Sequence, residues 1–63
     1  MKIDRRKFDI ARARACLSFS DFEKAGIPRG TLCRAMGGGG LKPETVGRIA
    51  KVLKVDVTEI IEQ

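Results

Sequence analysis

Apolar residues recur at helical spacing most clearly in the second half of the chain. Val46, Ile49, Ala50 and Leu53 follow an i, i+3, i+4, i+7 pattern, which is the spacing of a buried stripe on an α-helix. Pro43 precedes the stripe, and its preset φ and missing N–H suit the first turn of a helix. The pattern therefore predicts a helix that opens at Pro43.

A weaker stripe near the start of the chain predicts a first helix. Phe8, Ala11 and Ala15 lie at i, i+3 and i+7, and Asp4 stands where an N-cap is expected. The other faces of this helix are basic. We expect the first few and the last two residues of the chain to fray, as chain ends commonly do.

A short second helix is predicted next, with either Ser18 or Ser20 as its N-cap. Phe22 and Ala25 would face inward from it. Gly26 would end it, because glycine tolerates the left-handed backbone that commonly closes a helix.

A third helix of about two turns is predicted up to Met36. Pro28 suits its first turn, and Leu32 and Ala35 would face inward. Residues 37–40 are four glycines, each of which costs about 1 kcal/mol relative to alanine inside a helix, so they predict a loop. We expect this loop to be a flexible connector rather than an anion-binding nest.

Residues 56–59 predict a short fifth helix. Their sequence, Asp-Val-Thr-Glu, is a variant capping box with aspartate in place of the usual serine or threonine. Ile60 and Ile61 follow it. No segment shows the alternation typical of strands, so we expect an all-α fold of five helices.

Length and composition indicate one small folded domain over residues 1–63. The chain is 43% hydrophobic, too much for a disordered protein, and no apolar run approaches the ~20 residues of a membrane span. The charged residues that follow Met1 do not resemble a secretory signal. We therefore expect a soluble cytoplasmic protein with no membrane partner.

Catalysis and metal binding are both disfavoured by the sequence. Cys16 and Cys33 are the only cysteines and there is no histidine, which excludes a four-ligand zinc site or a Cys–His pair within one chain. A chain of this size buries only about 60% of its unfolded surface, which leaves little room for a substrate pocket. We expect a binding protein without a cofactor and not an enzyme.

The positive charge is concentrated in the first half of the chain. The net charge is +5, and residues 1–36 hold nine basic and four acidic side chains, whereas residues 37–63 hold four of each. This asymmetry favours a polyanionic partner on the side formed by the first half. Charged side chains that only solvate helix faces would give a similar count, so charge alone leaves both interpretations open.

Two short helices joined at Gly26-Ile27-Pro28 have the outline of a helix-turn-helix. From residue 26 to residue 61 the sequence resembles the Cro/C1-type (XRE-like) family of phage and bacterial repressors. Residues 42–61 carry the most specific part of the resemblance, because they follow the family's last two helices without a gap. The resemblance implies a five-helix lambda-repressor-like domain that binds double-stranded DNA and regulates transcription.

The third helix would enter the major groove in such a protein. With Leu32 and Ala35 facing inward, the outward residues and expected base contacts are Arg29, Gly30, Cys33 and Arg34. The two arginines are the strongest candidates, because a guanidinium can donate to O6 and N7 of guanine together. Gly30 has no side chain with which to read a base.

Five further residues are expected to contact phosphates. The resemblance places Arg12 at the basic position of the family's first helix, from which it could meet a phosphate. It matches Lys42, at the junction before the fourth helix, to a basic position that contacts the DNA backbone. The N–H groups that follow Lys42 point outward, which also favours an anion there. Ser18 and Pro28 are further expected phosphate contacts, and Thr31 is either a phosphate ligand or a local helix hydrogen-bonder rather than a base reader.

The chain departs from the family's pattern at several positions. Met36 replaces a glutamate that often pairs with the first-helix arginine, so we expect Arg12 to lack that partner. Lys54 occupies a helix-end position that is usually glycine, where a left-handed residue would be strained. Phe22 falls where a small residue usually packs. These departures and Gly30 leave an alternative open: a helical protein-interaction module, antitoxin-like or anti-repressor-like.

A homodimer, at least on DNA, is the expected assembly. One recognition helix contacts only ~4–6 base pairs, so two copies on half-sites ~34 Å apart would be needed to specify an operator. Residues 55–63 are the predicted dimer segment. Their apolar side chains could equally cap the core of one subunit.

Overall fold

The computed structural model describes residues 1–62, and Gln63 lies outside the described part of the chain. It contains four α-helices, α1 (Arg5–Ala15), α2 (Phe19–Lys24), α3 (Arg29–Met36) and α4 (Pro43–Leu53), followed by a 3₁₀ turn, Val57–Glu59. Within residues 1–62 the only β-type pairing is a single antiparallel bridge between Ile3 and Ile61. The all-α prediction is confirmed.

The predicted helix starts correspond closely to the observed ones. Asp4 caps α1 by accepting from the Lys7 amide at 3.1 Å. Ser18 caps α2, and Pro43 is the first residue of α4. Pro28 lies one residue before α3, as its N-cap, rather than in its first turn.

One hydrophobic core holds the helices together. Phe8 of α1 and Phe22 of α2 are fully buried and their ring centroids lie 5.6 Å apart. α1 packs against α4, and α2 packs against α3. Ala25, which we expected to face inward, is exposed at the end of α2. The buried residues are Ile3, Phe8, Ala11, Phe22, Ile27, Leu32, Ala35, Leu41, Val46, Ile49, Ala50, Leu53 and Ile60.

All four helices end on a left-handed residue. These residues are Cys16, Gly26, Gly38 and Lys54, with φ of 55°, 93°, 82° and 59°. After each of them, the next amide donates to the carbonyl five residues back, which is the Schellman arrangement. Lys54 therefore adopts the left-handed conformation in which a non-glycine residue is strained.

The predicted fifth helix is wrong. Asp56 and Glu59 do form the expected capping box, but the helical segment is one 3₁₀ turn, Val57–Glu59. The backbone beyond it pairs with the start of the chain instead: the Asp4 amide donates to the Ile60 carbonyl at 2.8 Å. With this pairing the Ile60 side chain is fully buried in the core instead of lying on an extended helix.

The first residues of the chain and Glu62 are held in place, contrary to the fraying that we expected, whereas Gln63 lies outside the described residues. The Glu62 amide donates to the Lys2 carbonyl at 3.0 Å. Met1 and Leu41 exchange two backbone hydrogen bonds, of 2.7 and 2.8 Å. The N-terminal segment therefore lies between the loop before α4 and the C-terminal segment.

Candidate nucleic-acid interface

The two faces of α3 differ as the sequence predicted. Leu32 and Ala35 are buried, with 0% and 1% exposure. The four residues on the opposite face are all exposed: Arg29, Gly30, Cys33 and Arg34. α3 thus presents every predicted base-contacting residue on the surface.

The N-terminus of α3 has a cap without a side-chain hydrogen bond. The Pro28 carbonyl accepts from the amides of Thr31 and Leu32, at 3.1 and 3.2 Å. The amides of Arg29 and Gly30 precede the first amide that donates within the helix, so they are available to an outside anion. Pro28 itself has no N–H, so it could serve a phosphate only by setting where α3 begins. Thr31 is half-buried.

Arg29 is held by a carboxylate from the preceding helix. Its Nε lies 2.8 Å from Oε1 of Glu23, which is in the last turn of α2. No helical spacing indicates this pair, because the two residues are six positions apart and are brought together only by the turn between α2 and α3.

Arg34 lies against the glycine-rich segment that ends α3. The amides of Gly38 and Gly39 donate to the carbonyls of Ala35 and Arg34, at 3.3 and 2.9 Å. An added Cβ on Gly39 would lie 2.5 Å from Cγ of Arg34. Three of the four glycines therefore form a hydrogen-bonded helix cap that makes room for an arginine stem, rather than the flexible connector that we expected.

Arg12 has partners other than the glutamate that Met36 replaces. Its guanidinium carbon lies 5.1 Å from the centre of the Phe19 ring, and Nη1 donates to the Leu17 carbonyl at 3.3 Å. Nη2 lies 3.9 Å from Asp9. These contacts join the end of α1 to the start of α2, so Arg12 stabilises the packing of these two helices. A phosphate would have to bind a guanidinium that already has partners within the protein.

The N-terminus of α2 is already occupied by a carboxylate. The Ser18 amide and hydroxyl both donate to Oδ2 of Asp21, at 2.8 and 3.0 Å. The backbone hydrogen bond to Ser18 is the main cause that lowers the pKa of Asp21 below its usual 3.8, so this carboxylate stays ionised at neutral pH. A phosphate contact through Ser18 would have to displace it.

Lys42 is exposed at the N-cap position of α4. Like Pro28, it makes no side-chain capping bond, and the amides of Thr45 and Val46 turn back to its carbonyl. A basic side chain beside an N-terminal turn is compatible with the predicted phosphate contact.

An apolar cleft on α1 was not predicted from the sequence. Ile10 is 51% exposed and lines a cleft of about 300 Å³ together with Lys7, Arg14 and the 3₁₀ turn. Ile10 lies two residues after buried Phe8, so helical spacing places it outside the inward stripe of α1. This spacing could have predicted an exposed apolar side chain at Ile10.

Comparison with protein-family models, curated proteins and solved structures found no match. Within residues 1–62, no helix is long and apolar enough to span a membrane. Over the same residues, no group of three or more histidine, cysteine, aspartate or glutamate side chains could hold a metal ion.

Proposed function

We propose that this protein is a sequence-specific DNA-binding transcriptional regulator of the Cro/C1 type, acting in the cytoplasm without catalysis or a cofactor. In this proposal α2 and α3 form a helix-turn-helix within a lambda-repressor-like domain, and α3 inserts into the major groove of an operator. The observation that carries the proposal is the pair of arginines, Arg29 and Arg34, on the exposed face of a helix whose other face is buried.

The exposed face of α3 fits the edge of a base pair in size and in hydrogen-bonding groups. The major groove is wide enough to admit an α-helix, and a bidentate arginine–guanine contact discriminates by ~1–3 kcal/mol. The net charge of +5 supports attraction to phosphates, which would make binding fall steeply with salt. Arg29, Gly30, Cys33 and Arg34 remain the proposed base contacts.

The proposed phosphate contacts carry different support. Lys42 and the N-terminus of α3 have exposed donors, whereas Arg12 and Ser18 are engaged within the protein. We therefore rank Lys42 first among the backbone contacts.

Binding as a homodimer on two half-sites completes the proposal, because one eight-residue helix reads too few base pairs to specify an operator. The proposed dimer segment is residues 55–63. Val57 and Ile61 in it are half-buried against the core, and Gln63 lies outside the described residues. Sedimentation of the protein with and without operator tests this step, and one protein per site at every concentration would refute it.

The test of DNA binding is the double variant Arg29→Ala/Arg34→Ala. A random-site selection with the wild-type protein supplies the duplex, and fluorescence anisotropy gives its affinity. We expect the double variant to bind on the order of a hundredfold more weakly, because two bidentate contacts are lost. The matched control is Arg48→Ala/Lys51→Ala on α4, which removes the same charge from exposed positions and should cost far less.

A protein-interaction module is the second candidate, and the half-exposed Ile10 in its cleft favours it. Apolar side chains grouped with charged ones are typical of protein-binding surfaces. A folded double variant with unchanged DNA affinity, or a wild-type protein that selects no duplex, would support this candidate over DNA binding.

A further inference from the structure

The contact between Glu23 and Arg29 spans the turn of the helix pair. Glu23 is in the last turn of α2 and Arg29 is the first residue of α3, and their side chains are 43% and 67% exposed. The two residues line an open cleft together with Gly26, Ile27 and Pro28. A carboxylate is thus fixed beside the first residue of the proposed recognition helix.

Stabilisation of the fold does not account for this contact. An ion pair between exposed side chains adds little to stability. The turn is already held by its backbone, because the amides of Gly26 and Ile27 donate to the carbonyls of Glu23 and Phe22, at 3.0 and 2.9 Å. Ile27 is also buried in the core, at 3% exposure. The turn would keep its shape without the Glu23 carboxylate.

We propose that Glu23 is a positioning residue that makes Arg29 selective for guanine. This inference rests on the proposed DNA-binding function. Glu23 engages Arg29 through Nε, which leaves the terminal amino groups Nη1 and Nη2 as two donors. Guanine presents O6 and N7 as two neighbouring acceptors in the major groove, so this end of the guanidinium fits guanine better than any other base.

The charge of Glu23 acts in the same direction. An arginine held by no carboxylate can turn to the phosphate backbone, and such a contact carries no sequence information. A fixed negative charge beside Arg29 disfavours that alternative because it repels phosphates. Glu23 therefore lowers the affinity for all DNA, and it lowers the affinity most for DNA without the guanine. This difference in affinity is the specificity that a repulsive group produces.

The experiment compares wild type, Glu23→Gln, Arg29→Ala and the double variant by random-site selection, then by anisotropy. The probes are the duplex selected by the wild-type protein, its single-base substitutions and a poly(dA–dT) duplex of equal length. We expect wild type to prefer guanine at one position of each half-site by roughly tenfold or more, and Arg29→Ala to lose this preference.

Glu23→Gln should reduce the same preference severalfold while it binds poly(dA–dT) severalfold more tightly. In the Arg29→Ala background, Glu23→Gln should leave base preference unchanged, because its effect passes through Arg29. A residue that only supported the fold would not show this dependence. The matched control is Glu44→Gln, which removes the same charge at an exposed residue without an ion pair in the described chain.

The outcomes separate this inference from the function on which it rests. If Glu23→Gln and Glu44→Gln show the same base preferences as wild type, the role of Glu23 is overturned while DNA binding stands. The same conclusion follows if Glu23→Gln changes base preference equally with and without Arg29. If the wild-type protein selects no duplex, the DNA-binding function fails and the role of Glu23 fails with it.

Discussion

α3 and α4 are built alike at their ends. Each starts after an N-cap that makes no side-chain bond, Pro28 for α3 and Lys42 for α4. Each ends in a Schellman arrangement on a left-handed residue, Gly38 in one case and Lys54 in the other. The N-terminal and C-terminal caps of the two helices are therefore of the same kind.

Their side chains distinguish them. α4 has eleven residues and buries four, Val46, Ile49, Ala50 and Leu53, whereas α3 has eight and buries only Leu32 and Ala35. α4 is fixed by its buried stripe. α3 is fixed by two side chains and its end caps, which leaves most of its surface for contact with a partner.

The largest expected effect comes from removing the anchor of α3. Leu32→Ala should lower the free energy of unfolding by about 2–5 kcal/mol, because it empties a fully buried site. Urea unfolding followed by circular dichroism measures the loss. Amide exchange should accelerate more in α3 than in α4, whereas Ile49→Ala should accelerate exchange in both. Equal acceleration in the two helices for Leu32→Ala would contradict the difference in anchoring.

The left-handed residues at the two helix ends should respond in opposite directions. Gly38→Ala should cost about 1–2 kcal/mol, because a Cβ is strained at a φ of 82°. Lys54→Gly should add up to about 1 kcal/mol, because it removes that strain at a φ of 59°. Thermal unfolding of both variants gives the comparison. A loss of stability in Lys54→Gly would show that the lysine side chain outweighs its backbone strain.

The residue after each left-handed position gives a sharper test. Val55 follows Lys54 and packs against the core, whereas Gly39 follows Gly38 and lies under the stem of Arg34. Gly39→Ala should cost about 1 kcal/mol, a typical loss for a substitution that forces its neighbours to move. The cost should shrink in an Arg34→Ala background, measured by urea unfolding. An identical cost in both backgrounds would mean that the Arg34 carbonyl, and not the side chain, is the obstacle.

The sequence predicted the local features of the fold well. Capping by Asp4 and Ser18 and the start of α4 at Pro43 depend on interactions within one or two turns, which neighbouring residues reveal. The exposed and buried faces of α3 also followed from helical spacing alone.

Features that depend on distant contacts were missed or wrong. Residues 56–61 have helical signals, but pairing of Ile61 with Ile3 ends the helix after one 3₁₀ turn. The Glu23–Arg29 contact crosses a turn, so no helical spacing indicates it. The contacts of Arg12 with Leu17 and Phe19 depend on the path between α1 and α2. Local pattern carries no information on these tertiary partners.

The smallest expected effects come from the internal glycines, which provide a matched pair. A Cβ added to Gly30 in α3 or to Gly47 in α4 would meet nothing within 4 Å. Gly47→Ala should therefore stabilise the protein by about 0.5–1 kcal/mol, the ordinary gain from glycine to alanine inside a helix. Gly30→Ala should gain less, because Gly30 is only the second residue of α3. Thermal unfolding measures both.

DNA affinity should separate the two glycines more sharply than stability does. If the exposed face of α3 approaches the base-pair edges closely, an extra methyl group at Gly30 should weaken binding to the selected duplex severalfold. Gly47→Ala should leave binding unchanged, because the base contacts proposed above all come from α3. Tighter binding by Gly30→Ala would mean that the absence of a side chain at Gly30 is not needed for α3 to approach the bases. Equal weakening in both variants would mean that the DNA contacts α4 as much as α3.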